Sequence, residues 1–245
     1  MSSEPTTNTT LALAVWPTPN RRRAHYLAAG RGGHPIQPEL AARAILAYSD
    51  AGDLIVDPCC GIGTVLVEAI QQGRRAIGID TDRTAAALAI ANISHARQQG
   101  APGRAAVLEG DPARLPQLLA KAQPLLTPKP TAQVRRHPAG SVQLILTAAP
   151  RTPHSQLLAA WTGVLAPGGF LLLVHEQQRR ATAGLGDLVA SVERAGLEYW
   201  QHVIAFRSSA GDPQALRHTD VLAFRKPQLD EPAARARAER REVAA

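Results

Sequence analysis

The chain has 245 residues, 45% of them hydrophobic and 19% charged, which is enough apolar material for one sizeable core. No apolar run approaches the ~20 residues that cross a bilayer. The N-terminal MSSEPTTNTT lacks the basic start and apolar stretch of a signal peptide, and the only cysteines, Cys59 and Cys60, are adjacent, so neither a disulfide framework nor a four-ligand zinc site is expected. A membrane protein, a secreted disulfide scaffold and a zinc finger are thereby set aside, and a cytoplasmic domain is expected. Lys and Arg total 27 against 20 acidic residues, for a net charge of +7. Almost all of the basic residues are arginines, which bind phosphate and guanine edges in bidentate fashion. This charge suits a nucleic-acid partner, although an Arg- and Ala-rich composition has the same signature.

In chain order, residues 1–14 are polar and Thr-rich and are expected to be disordered. A single domain is expected over 15–227, followed by a flexible Arg- and Ala-rich tail over 228–245. Within the domain, Asp53–Asp57 (DLIVD) is a short strand stopped by Pro58, and a helix follows from about Gly63 to Gln72. Ala76–Asp80 is a second strand, and an Ala-rich helix runs on to His95. Ala105–Leu108 is a third strand, closed by Glu109-Gly110-Asp111-Pro112. Val142–Thr147 and Gly169–His175 are the fourth and fifth. Continuous apolar strands alternating with helices predict a parallel sheet covered on both faces. Tyr199–Arg207 and Thr219–Lys226 are joined by too short a segment for a crossover helix, so they are expected to pair antiparallel at the sheet edge. Lys121–Gly140, with four prolines and the cluster Arg135-Arg136-His137, reads as a long basic loop over the strand ends.

The strongest local signal is Asp57-Pro58-Cys59-Cys60-Gly61-Ile62-Gly63-Thr64: a strand ending in a carboxylate, a Gly-x-Gly turn, then a helix. Glycines let the chain turn sharply and let a ligand approach without meeting a β-carbon. The third glycine of the dinucleotide fingerprint is replaced by Leu66, and no lysine precedes Lys121 to complete a phosphate loop. Asp80 ends the second strand, well placed for ribose hydroxyls, and Asp111 follows the third, where it can accept from an adenine amino group. Three strand-end acids around a glycine turn suit a ligand with a cationic amino acid, a ribose and an adenine. S-adenosylmethionine is such a ligand. The competing view is that these acids merely cap helices.

Asp57–Thr64 resembles the Asp-Pro-Phe-x-Gly-x-Gly-Thr signature of the amino-group methyltransferases that act on nucleic acid, above all the adenine-N6/cytosine-N4 DNA methylases. Their sister group methylates guanine N2 in tRNA. Further segments are similar to that family: His34–Leu40 to its His-Pro segment, Gly73–Asp80 to its Gly-Arg-x-x-Ile-Gly-acid run, Glu109-Gly110-Asp111 to its acidic turn at the adenine, His218–Lys226 to its last strand, and Val15-Trp16 with Arg21–Tyr26 to the lead-in of its bacterial members. The resemblance implies a Rossmann-like class I methyltransferase fold, with a mostly parallel seven-stranded sheet and an antiparallel edge hairpin. It also implies S-adenosylmethionine as cofactor and nucleic acid, DNA before RNA, as partner. The residues it assigns to the cofactor are His34, Pro35, Asp57, Pro58, Gly61, Gly63, Thr64, Asp80 and Asp111.

The chain departs from the family after the fourth strand. An Asp, Asn or Ser, two prolines and an aromatic are expected there, and Ala148, Ala149, Pro150 and Arg151 stand in their place. Ala148 has no side-chain acceptor for a target amino group, and a guanidinium donates hydrogen bonds but cannot accept them. His154, and His175 with Glu176 at the end of the fifth strand, are alternative bases, with ordinary surface residues as the plainer expectation. Cys59 and Cys60 are expected to be packing thiols rather than nucleophiles. Three functions remain: a methyltransferase of nucleic acid, a non-catalytic descendant that binds cofactor or nucleic acid, and a methyltransferase of tRNA or a small molecule.

Overall fold

The computed structural model describes residues 13–18, 36–126, 142–150, 152–176, 184–209 and 212–228. Among these, one sheet of eight strands carries the fold: β1 (Leu13–Pro17), β2 (Leu54–Asp57), β3 (Arg75–Asp80), β4 (Arg104–Glu109), β5 (Val142–Ala148), β6 (Leu165–Glu176), β7 (Glu198–Ser209) and β8 (Asp212–Arg225). The strand order is β1-β7-β8-β6-β5-β2-β3-β4. Strands β4, β3, β2, β5 and β6 run parallel, and β8 lies antiparallel between β6 and β7. The hairpin expected at the edge is therefore covered on its outer side. β1 pairs parallel with β7 from Leu13↔His202 to Pro17↔Phe206, adds an eighth strand, and begins before the expected domain start. A five-residue apolar strand ending in proline is too short to carry a periodicity of its own, and its partner is almost two hundred residues away.

Among the described residues six helices, α1 (Pro38–Tyr48), α2 (Thr64–Gln71), α3 (Arg83–Gln98), α4 (Leu115–Leu126), α5 (Ser155–Val164) and α6 (Leu185–Arg194), cover the sheet. One core lies between the sheet and α1–α3, and a second lies between the sheet and α4–α6. β2 and β5 are buried along their length without alternation and are mostly apolar, as parallel strands covered on both faces require. Seven of the eight α2 residues are buried because that helix packs between α1 and α3 as well as on the sheet.

The expected long loop is shorter at its start, because α4 continues through Lys121 to Leu126. Leu115, Leu119, Ala122 and Leu126 recur at helical spacing and are buried in the second core. Pro124 falls in the last turn of α4, where its missing N–H removes only one hydrogen bond. The cluster Arg135-Arg136-His137 and the Arg/Ala-rich tail lie outside the described residues. No helix among the described residues is long and apolar enough to cross a membrane.

Candidate cofactor and active site

The carboxyl ends of β2, β3, β4 and β5 lie side by side, and the glycine turn crosses the first of them. Gly61 (φ +51°) and Gly63 (φ +83°) both adopt the left-handed region that favours glycine. A Cβ on Gly63 would sit 3.0 Å from the Ala89 Cβ, so the turn lies directly against α3. The Cys60 N–H donates to the Ile79 carbonyl (2.8 Å) and the Gly63 N–H to the Cys60 carbonyl (2.8 Å). From α3, the buried Asn92 amide donates to the Ile62 carbonyl at 3.0 Å. Cys60 and Leu66 fill the space that a side chain on Gly78 would need. Cys60 is thus a packing residue, as expected. Cys59 presents surface to solvent, but its thiol is crowded at the turn, and burial, then the Asp57 and Asp80 charges, push it up to about 12. Neither thiol is a nucleophile near neutral pH.

Three strand-end acids surround this turn. Asp57 is 3% exposed and accepts from the Cys59 N–H at 3.1 Å. Burial pushes its carboxyl up to about 7; the neighbouring Thr147 side chain and the Cys59 N–H oppose the rise, and Asp80 adds to it. The Thr147 hydroxyl lowers the carboxyl by its proximity, although its oxygen is buried with no hydrogen bond of good geometry. Asp80 fastens the turn to β3: its Oδ2 accepts from the Gly61 N–H and its Oδ1 from the Asp82 N–H, both at 2.8 Å. Each oxygen keeps lone-pair capacity for a ligand hydroxyl. The Asp111 Oδ1 accepts from the Ala113 N–H at 2.9 Å, capping the short 3-10 turn Pro112–Arg114. Helix α3 is capped by Asp82, which accepts from the Thr84 N–H at 2.8 Å. Of the three acids, then, Asp111 does cap a helical turn, while Asp57 and Asp80 serve the glycine loop.

The structure brings Asp57, Pro58, Gly61, Gly63, Thr64 and Asp80 together, with Asp111 just beyond the next strand end. His34 and Pro35 lie outside the described residues, as does Arg151. At the end of β5, Thr147 is buried and Ala148, Ala149 and Pro150 are half-buried. The Ala149 N–H donates to the Val174 carbonyl at 2.8 Å, which continues the pairing with β6. His154 is exposed and its side chain does not cap α5. His175 is half-buried on β6 opposite Asp220 of β8, and Glu176 closes that strand opposite Thr219. The sequence reading passed over Thr147, Asn92 and the Asp220–His202 contact. Asp220 was discoverable, as an acid immediately before the apolar run Val221–Phe224.

Strand order, glycine turn and strand-end acids define the class I methyltransferase fold. Solved structures with this fold include a TehB-like SAM-dependent methyltransferase from Corynebacterium glutamicum (TM-score 0.50, 20% identity, 76% of this chain and 86% of that one). The magnesium protoporphyrin IX methyltransferase of Synechocystis, with SAM bound, superposes with a TM-score of 0.53 at 13% identity over 77% of each chain. The precorrin 8W decarboxylase of Methanobacterium thermoautotrophicum gives 0.55 at 17% identity over 82% of this chain and 96% of that one. The DNA methylase family of the N6/N4 type matches residues 2–91. Over 54 residues the chain is 52% identical to the type II methyltransferase M2.DpnII of Streptococcus pneumoniae, covering 21% of this chain and only 20% of that relative. The family match thus covers less than half of the chain and the M2.DpnII match about a fifth of each protein, while the solved structures, at 20% identity or less, show the fold.

Proposed function

We propose that the chain is an S-adenosylmethionine-dependent methyltransferase of nucleic acid, with DNA as the first substrate to assay. Asp57 carries the proposal furthest. It is a buried carboxyl, raised to about 7, at the mouth of a glycine turn, and its ionised form calls for a cationic partner. The amino group of the cofactor's methionine end meets that need. Gly61 and Gly63 allow close approach, Asp80 offers its spare lone pairs to the ribose, and Asp111 faces the adenine from the end of β4. Thr64 and Pro58 shape the turn, and the His34-Pro35 segment belongs to the methionine side by resemblance. The bound group supplies an activated methyl; the chain supplies binding, orientation and the surface that receives the target base.

Nucleic acid as substrate is supported by the net charge of +7 and by the DNA methylase match. The test is transfer of labelled methyl from S-adenosylmethionine to DNA and, separately, to RNA across a salt series. Methylated DNA is expected, with binding that weakens steeply as salt rises. Labelling of RNA alone, or of a small molecule with no dependence on salt, would move the substrate class. A second function, cofactor or nucleic-acid binding without catalysis, is favoured by the missing side-chain acceptors at Ala148 and Ala149. Restoring the family motif with Ala148→Asn, Ala149→Pro and Arg151→Tyr separates the two. Activity that appears only in the restored protein identifies a decayed enzyme.

A further inference from the structure

Beside the altered motif, β6, β7 and β8 assemble three titratable side chains that the cofactor site does not use. In the antiparallel register of β6 with β8, His175 stands opposite Asp220. Directly opposed side chains share one face of the sheet, with Cβ atoms about 4.5–5.5 Å apart. Asp220 is 3% exposed, and its Oδ1 lies 2.7 Å from the His202 Nε2. Among the described residues its Oδ2 is buried without a hydrogen-bond partner, and so is the Nδ1 of His175. Two complementary buried polar atoms are thus unsatisfied on opposed residues of one sheet face. His175 also follows Val174, whose carbonyl receives the Ala149 N–H, so it neighbours the motif that has lost its acceptor.

We propose that His175 is a catalytic base for the methyl acceptor, with Asp220 as its positioning residue and His202 holding the second carboxylate oxygen. The proposal rests on the methyltransferase function given above. With Nδ1–H donated to Asp220, the Nε2 of His175 presents its lone pair, as in other carboxylate–imidazole pairs. The target's lone pair forms its bond to the methyl carbon as the carbon–sulfur bond breaks; that electron pair stays on sulfur, and the proton released by the target passes to Nε2. The other groups facing this pair are His202 and Tyr199 of β7, the latter within electrostatic reach of Asp220. Among the described residues, β5 places Thr147 and Ala149 on this side of the sheet, and the core under this face includes the apolar Leu188 and Val192 of α6.

The test compares the wild type with His175→Gln and Asp220→Asn, each first checked for a wild-type melting curve and S-adenosylmethionine affinity. His175→Gln is expected to lower kcat by a factor of about 100 or more, to leave KM little changed, and to flatten the dependence of kcat on pH. Asp220→Asn, which keeps the fold's volume, should lower kcat while retaining some of that dependence. Independently of turnover, the His175 imidazole resonance, assigned by its absence in His175→Gln, should move on adding S-adenosylmethionine and far less on adding the uncharged sulfur product, S-adenosylhomocysteine. Equal response to the two ligands, or an unchanged pH profile in His175→Gln, overturns the proposal. A resonance that moves in a protein methylating neither DNA nor RNA leaves His175 in place and overturns the substrate class. Failure of the folded wild type to bind S-adenosylmethionine overturns both.

Discussion

Asp57 links the local geometry to a measurable pH dependence. Its carboxyl titrates near 3.8 when exposed and at about 7 in the folded chain. Between those values the folded protein holds a proton that the unfolded chain has released, so this residue's contribution to stability falls as pH rises from about 4 to about 7. Asp57→Asn has no proton to lose, so its stability relative to wild type should improve across that window, as chemical denaturation at pH 5 and pH 8 would show. Cofactor binding should follow the opposite course. A cationic amino group selects the ionised carboxylate, so wild-type affinity should rise between pH 6 and 8, and the Asn variant should be weaker and flatter. Gly63 makes a second, steric prediction. Gly63→Ala combines φ +83° with a Cβ only 3.0 Å from Ala89, which together should cost about 1–3 kcal/mol in denaturation and weaken S-adenosylmethionine binding.

At the scale of elements, the cofactor half was legible and the helices around it were less so. The run Asp57–Thr64 reads directly because a glycine turn after a buried strand leaves few alternatives, and the structure places that turn as expected. The end of helix α4 was hidden because Pro124 was counted with the prolines of the loop, when the buried stripe Leu115, Leu119, Ala122 and Leu126 decides the conformation. The strand-end acids divide by partner, which no sequence pattern distinguishes: Asp82 and Asp111 cap helical turns, whereas Asp80 binds the glycine loop. Asp82→Ala should therefore cost about 1 kcal/mol in melting with cofactor affinity unchanged. A parallel loss of affinity would show that the α3 start also contacts the ligand.

For the molecule as a whole, the mostly parallel sheet and its two covered faces were expected from the alternation of strands and helices, whereas the strand order and β1 were not. Its pairing with β7 joins distant parts of the chain, and long-range pairing is the kind of information that periodicity lacks. The same holds for the His175–Asp220–His202 group, assembled by three late strands whose register appears only in the fold. The central claim is that one continuous site at the carboxyl ends of β2, β3 and β4 binds S-adenosylmethionine. Calorimetric titration of the wild type and Asp80→Asn tests it most directly, with the melting curve of each recorded alongside because Asp80 also holds Gly61. One-site binding is expected for the wild type, with affinity falling by about tenfold or more in the variant while its fold persists, as suits the loss of a charge-assisted hydrogen bond. No binding by folded wild type, or undiminished binding by the variant, would contradict the account.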